Sequence, residues 1–580
     1  MTANIDVPRL PIAEWIDVFV QWFTQTFAQL FNVIQTIGQG GIDWISDFLI
    51  WINPFVLMLL IVVTAYYISG KKLGLTIFSF LGLLFIYNQH LWNDLMSTLT
   101  LVMVSSLIAL IIGVPLGILD AKSQTASKII TPFLDFMQTM PGFVYLIPAV
   151  AFFGIGVMPG VVSSVIFALP PVVRMTNLGI HQVPKSLVET SASFGSTDTQ
   201  RLFKLDLPYA RNTILEGANQ TIMMSLSMVV IASMIGAPGL GRGVLSAVQR
   251  AQVGHGFVNG LALVIMAIII DRFAHNINRH IAHRKLADTK TRNHQHKVHI
   301  IAAVALMLLT VTGGVVQAAT TSGAHSKGHI KLVYVEWDDA VATTNVAGEL
   351  LRQAGYDVDI MPLDDAIMWK SVATKQADAM LCGWLPTTHK HEYAEYKDKL
   401  DLLGANYDKA QVGLVVPDYM SANSIEDLKD EANKTITGIE PSESIVDYAQ
   451  NATKEYANLK GWQVSTSSSG AMAVVLGQAI KNHQDVVVTG WSPHWMFAKY
   501  HLKILQDPKK VMGESEKINT IARQGLKDDY PEAYNLLKNF KWDEQDISEV
   551  MLRIRNGENP QEVAKWWLSN HASRVQTFKQ

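Results

Sequence analysis

The sequence predicts a multi-domain chain in which an all-α polytopic membrane domain is followed by an α/β, two-lobed soluble domain. Three observations carry this reading. Long apolar stretches with few ionisable residues run from Trp51 to Ile270, Asp, Glu and Lys crowd the chain from Lys331 onward, and short apolar runs there alternate with helical segments. At 580 residues the chain is too long for one compact domain. A net charge of −3 leaves no footprint for nucleic acid, and one cysteine, Cys382, excludes an intramolecular disulfide framework and a multi-cysteine zinc site. The soluble half is therefore held by an ordinary hydrophobic core.

Residues 12–49 place Trp15, Phe19, Trp22, Phe23, Phe27, Leu30 and Phe31 at helical spacing among polar residues, the pattern of a helix lying in the membrane interface. Candidate spans follow at 51–69, 73–89, 96–119, 129–153, 160–179, 220–234, 257–270 and 299–316. Several are shorter than the roughly 20 residues a bilayer core needs, so their ends reach into polar flanks or the helices are irregular. The expected domains are an interfacial segment over 1–50, a transmembrane domain over 51–273, a basic link with a last span over 274–320, and a soluble domain over 330–580.

Basic residues set the orientation, because cytoplasmic loops retain Lys and Arg. The link 274–298 carries Arg279, Arg284, Lys285, Lys290, Arg292 and Lys297 against one acid, Asp288. With that link inside, alternation also places Lys71, Lys72, Lys122, Lys128 and the loop 181–211 inside, and everything after Gln317 outside. The same link has the composition to touch anionic membrane lipid. Residues 297–319 have a second reading, since a basic start, a short apolar run and the ending Val316-Gln317-Ala318 fit a secretory leader that would release the soluble domain. Left uncleaved, the span is a tether that keeps the domain at a local concentration on the order of millimolar.

The inside loop 181–211 contains Glu189-Thr190-Ser191, three residues, Gly195, nine residues, then Leu205-Asp206-Leu207-Pro208. Physically, Gly195 permits a sharp chain reversal, and the Leu-x-Leu-Pro ending stops a surface helix before the next span. The stretch resembles the coupling loop of ABC importer permeases, whose pattern is Glu-Ala-Ala, three residues, Gly, nine residues and Ile-x-Leu-Pro. Thr190 and Ser191 replace the two alanines. The resemblance extends over 95–270 and implies a short coupling helix that docks in a groove of a cytoplasmic ATPase. Thr139-Met140-Pro141 and Gly236-Ala237-Pro238-Gly239-Leu240-Gly241 interrupt apolar segments, as where membrane backbone is buried in protein or lines a path. No G-x-x-x-x-G-K-[ST] phosphate loop occurs. The resemblance thus implies a separate ATPase that binds ATP and Mg, two copies of it, and a second copy of this chain; no cofactor is read in the chain itself.

From Ile330, the segments 331–335, 412–416, 435–439 and 485–489 read as strands, and 343–354, 444–455 and 471–482 as helices, most simply as two lobes that close on a ligand. Trp337 follows the first strand, and Trp384 and Trp491 each stand in a Gly-Trp-x-Pro run after a short apolar stretch. Strand ends of open α/β sheets are where ligands bind. Three indole faces can box a quaternary ammonium, each contributing about 1–2 kcal/mol once desolvated. A lone tryptophan is more often a core residue, and Trp369, Trp462, Trp542, Trp566 and Trp567 are read as core or surface.

With these motifs in place, residues 331–579 resemble the binding domain of Opu-type glycine betaine importers. The resemblance implies a three-tryptophan prism at Trp337, Trp384 and Trp491, and a carboxylate held by backbone amides at Gly438-Ile439 and by His389 in Trp384-Leu385-Pro386-Thr387-Thr388-His389. His494, three residues after Trp491, is a rival for the histidine role. The expected function is ATP-driven import of glycine betaine for osmoprotection; proline betaine fits the same cage and choline lacks the carboxylate. An importer of another amino-acid-like solute would place acidic or polar groups where the tryptophans stand, and a membrane-anchored receptor would need no coupling loop. Catalysis finds no Gly-x-Ser-x-Gly elbow or His-Glu-x-x-His motif, and no metal-ligand set is read. An exposed tethered binding domain suits a Gram-positive cell.

Overall fold

The computed structural model describes residues 12–250, 252–283, 326–441, 443–513 and 515–579. Most of the basic link, the candidate span 299–316 and its reading as a leader lie outside the described residues. Those described fall into two compact units, one mainly membrane helix and the other mainly the soluble half.

The membrane unit is helical throughout: α1 (Ile12–Thr26), α2 (Ala28–Trp51), α3 (Pro54–Ile68), α4 (Leu73–Asn88), α5 (Trp92–Lys122), α6 (Gln124–Thr139), α7 (Leu146–Phe153), α8 (Val157–His181), α9 (Lys185–Ser193), α10 (Asp198–Arg201), α11 (Leu207–Ala232), α12 (Leu240–Gln249) and α13 (Val253–His283). Among the described residues four helices are long and apolar enough to cross a membrane, or up to six if each of two bent pairs is one span. The expected span 129–153 is one of those pairs. It breaks at Met140-Pro141, where α6 and the turn leading into α7 meet at 111°. Met140 is extended because the ring of Pro141 disfavours helical backbone before it. The expected span 51–69 likewise contains a break, at Ile52-Asn53, with Asn53 capping α3 by accepting the Phe55 N–H at 3.0 Å. α2 departs from a purely interfacial helix: Ile42 is buried with Leu101, Val102, Met158 and Val161, and the ring of Phe31 stacks on Phe152 at 5.0 Å.

The Gly236–Gly241 interruption is a close-packed loop. Leu240 N–H donates to Thr98 Oγ1 on α5 at 2.9 Å, and Gly239, at φ 117°, leaves only 2.4 Å between a would-be Cβ and that oxygen. Any side chain there meets both a strained backbone and an occupied volume.

The soluble unit is built on strands β1 (His329–Tyr334), β2 (Asp357–Pro362), β3 (Ala379–Leu385), β4 (Leu400–Pro417), β5 (Thr435–Thr437), β6 (Gln463–Ser465), β7 (Val487–Ser492), β8 (Leu502–Ile504) and β9 (Glu516–Arg523). They run in the order β2-β1-β3-β9-β4-β7-β5-β6, with β8 on β4. β4 makes the two-lobed design: its first part, to Ala410, pairs with β9 and its last part, from Gln411, pairs with β7 and β8. One long strand therefore serves both lobes. β2, β3, β6, β8 and β9 were not among the expected strands, and the helix expected at 343–354 begins earlier, at Asp338.

Gly239→Ala is expected to destabilise the membrane unit by about 1–3 kcal/mol, lowering the thermal midpoint of the detergent-solubilised chain; an unchanged midpoint would show that the loop yields.

Candidate functional site

The coupling-loop residues form an exposed surface. α9 has no buried residue, Glu189 on it is exposed, and Phe194 just beyond it is 85 % exposed. Gly195 follows at φ 70° with open space around it, which provides the expected reversal. Leu205-Asp206-Leu207-Pro208 behaves differently from expectation. It does not stop a helix: α10, a π-type turn over Leu202–Asp206 and α11 continue one into the next. Pro208 stands in the first turn of α11, and the wide turn before it accommodates the missing N–H. Leu205 and Leu207 are half-buried, whereas Asp206 is fully buried against Lys122 of α5 and, at 3.4 Å, Arg201. The loop is thus anchored through one carboxylate to a membrane helix.

In the soluble unit the ends of β3 and β7 and the turn after β1 bring Trp384, Trp491 and Trp337 to the lining of one small cavity. All three rings are buried. Val412 of β4, opposite Trp491 in the register, adds an apolar wall, and Ile439, Glu443, Ser444, Ile445 and Thr388 complete the lining. Trp491 is oriented by its Nε1–H, which donates to Asp339 Oδ1 at 3.1 Å. Burial pushes the Asp339 carboxyl up to about 7.

His389 is buried behind this lining. Its Nδ1 accepts the Trp384 N–H at 2.9 Å, so the ring proton is on Nε2. Its ring stacks on Trp337 at 5.7 Å and meets Trp369 edge-on at 5.4 Å. Nε2 lies 3.4 Å from Asp365 Oδ1 without an aligned hydrogen bond. Burial lowers His389 to about 4 and, with Asp364, raises Asp365 to about 7, so this is a contact of neutral groups at pH 6 rather than an ion pair. A histidine also stands beside the second Gly-Trp-x-Pro run, with different partners. There His494 Nδ1 accepts the Met496 N–H at 3.2 Å, Nε2 faces Asp338 Oδ2 at 3.3 Å, and the ring meets Trp491 edge-on at 4.7 Å. Trp369, expected as core or surface, is fully buried.

Gly438 does not offer a free amide: its N–H donates to Ser465 O at 2.8 Å within the sheet. Ile439 does reach the cavity. Sequence reasoning did not single out Ser444 and Ile445, which line the cavity and open the helix Ser444–Glu455. Leading N–H groups of a helix have no intrahelical acceptor and face a positive dipole end, an anion site in waiting. The signal available was the Ser442-Glu443-Ser444 run ahead of an amphipathic helix. Two bonds join the lobes beside it, Ser444 Oγ–H to Thr388 O at 3.0 Å and Tyr448 O–H to Thr387 O at 3.1 Å. Glu516 of β9 holds the Thr387–Thr388 turn in place, accepting the Thr388 N–H at 3.0 Å and its hydroxyl at 2.6 Å.

An apolar helical unit with an exposed loop helix, joined to a two-lobed domain with an aromatic cavity, defines the class: a binding-protein-dependent membrane transporter subunit that carries its own binding domain. Residues 113–284 match the family model of the binding-protein-dependent transport system inner membrane component, and residues 328–570 match that of the substrate binding domain of ABC-type glycine betaine transport system. The chain is 56 % identical over 279 residues, 47 % of its length and 98 % of the relative, to the glycine betaine/carnitine transport permease protein GbuB of Listeria monocytogenes serotype 1/2a. It is 49 % identical over 271 residues, 47 % of its length and 95 % of the relative, to the glycine betaine transport system permease protein OpuAB of Bacillus subtilis. A solved structure of lactococcal OpuAC, closed and complexed with glycine betaine, is 50 % identical, covers 44 % of this chain and 100 % of that one, and superposes with a TM-score of 0.43. The chain belongs to the glycine betaine ABC-transporter permease family, here fused to a substrate-binding domain.

Glu443 provides a check on the electrostatics of the cavity. Burial first, then Asp365, Glu440, Asp364 and Glu392, raise its carboxyl from 4.5 to about 9. Folding therefore retains a proton that the unfolded chain has lost, and the stability this group contributes is full below pH 4.5 and declines as pH rises toward 9. Glu443→Gln is expected to gain on the wild type in thermal midpoint progressively from pH 5 to pH 9; a constant difference would contradict the burial argument.

Proposed function

We propose that the chain is the permease and substrate-binding subunit of an ATP-driven importer of glycine betaine and related betaines, serving osmoprotection. The observation that carries this reading is the cavity walled by Trp337, Trp384 and Trp491, beside a helix that opens at Ser444. The indole faces suit a trimethylammonium group, which cannot donate strong hydrogen bonds and is weakly hydrated. The amides of Ser444 and Ile445, with the Nε2–H of His389, suit the carboxylate at the other end of a zwitterion. The amide of Ile439, which lines the same cavity, is a further donor for that carboxylate, and His494, like His389, stands behind the lining.

The exposed α9 and Phe194 are the surface that docks on a separate cytoplasmic ATPase, which holds ATP and Mg; the chain itself takes no cofactor. The working complex is two copies of this chain with two ATPase subunits. Its place is the cell membrane, surrounded by lipid, with the binding domain on the extracellular side of a Gram-positive cell, as the alternation of basic loops supports.

Calorimetric titration of the full chain in lipid nanodiscs tests the cargo. Glycine betaine and proline betaine are expected to bind and proline is not. Trp384→Ala is expected to weaken betaine binding about five- to thirtyfold, the loss of one ring's 1–2 kcal/mol, and His389→Ala to weaken it as well. A folded chain that binds no betaine would overturn the cargo while leaving the importer class to stand on the coupling loop.

A further inference from the structure

The cavity contains one feature that the betaine-binding chemistry does not use. Of the described residues that line it, Glu443 is the only ionisable one. It precedes the helix Ser444–Glu455 directly, so its side chain shares the cavity wall with the amides assigned to the ligand's carboxylate. An ionised carboxylate there would repel that end of a zwitterion and attract the quaternary nitrogen. A neutral one repels neither end and can donate its O–H to the ligand. We infer that Glu443 is a selectivity residue of the cage: in its neutral form it favours the carboxylate-bearing zwitterion, and in its ionised form a trimethylammonium cation that has no carboxylate. The inference rests on the betaine reading of the cavity.

The surroundings decide which form is present. Asp364 and Asp365 face Glu443 from the helix Asp365–Ala373 and the residue before it, Glu392 from the helix Lys390–Tyr396, and Glu440 from its own loop; no cation opposes them in this set. His389, alongside Asp365, is held neutral by burial and supplies no charge. With burial these groups keep the Glu443 proton on up to about pH 9. At neutral pH the wall near the carboxylate site is accordingly uncharged. Above pH 8, where Asp365 and Asp339 have already ionised, betaine affinity falls as Glu443 loses its proton. A cation such as choline gains over the same interval, because a buried carboxylate in an apolar box attracts it strongly.

The test is calorimetric titration of the full chain in nanodiscs with glycine betaine and with choline at pH 8 and pH 10. Neither ligand changes its own charge over this interval, and the Asp365 carboxyl, raised to about 7, is mostly ionised at both values. For the wild type the ratio of choline to glycine betaine affinity is expected to rise about tenfold or more between the two pH values, and for Glu443→Gln to stay constant. A constant ratio in the wild type, or a Glu443→Gln chain that keeps the wild-type slope, would overturn the assignment. The wild-type measurement stands even where the variant folds poorly. Absence of betaine binding at both pH values would instead remove the cage reading itself, so the two failures are distinguishable.

Discussion

The cage depends on a buried neutral imidazole. Indole rings can face a cation only if something fixes their orientation without filling the space between them. His389 does this from behind: Nδ1 accepts the backbone N–H of Trp384 and the ring lies flat against Trp337. A protonated His389 would lose the acceptor that the Trp384 N–H needs and place a charge in an apolar wall. Burial prevents this by holding its pKa near 4. The second histidine, His494, meets Trp491 edge-on at 4.7 Å, but its Nδ1 accepts from Met496 rather than from a tryptophan N–H.

That bracket links the site to the movement of the lobes. Trp491 comes from one side of β4 and Asp339, which orients it, from the other, so the cage is assembled by the same approach that brings Ser444 to Thr388 and Tyr448 to Thr387. No single lobe carries all three rings, so the three-ring cavity exists only with both lobes in place. In the membrane unit Asp206 has the corresponding role. Removing one partner from a buried ion pair typically costs about 3–5 kcal/mol, so the Asp206 contact with Lys122 ties the exposed loop rigidly to α5.

Much of this was legible in the sequence for physical reasons. Apolar runs and basic loops report membrane helices because lipid tolerates little else, and the three tryptophans stood out because Gly-Trp-x-Pro occurs twice at strand ends. Local pattern failed where tertiary context decides. The first half of β4, from Leu400 to Ala410, mixes Asp401, Asn406, Asp408 and Lys409 with apolar residues, and only pairing with β9 makes it a strand. Glu516, a charged residue that begins β9, is fully buried because it accepts from Thr387 and Thr388, a satisfaction no sequence pattern displays. Gly438 carried the expected residue type, but the direction of its N–H is set by Ser465, a strand away. Leu205-Asp206-Leu207-Pro208 read as a stop and is a continuation, since a wide turn absorbs the proline.

The most direct test of the central claim is an experimental structure of the full chain with glycine betaine bound. The account predicts the quaternary nitrogen within about 6 Å of the ring centroids of Trp337, Trp384 and Trp491, with the carboxylate at the N–H groups of Ser444 and Ile445. A ligand seated outside the three rings, or turned with its carboxylate toward them, would contradict it.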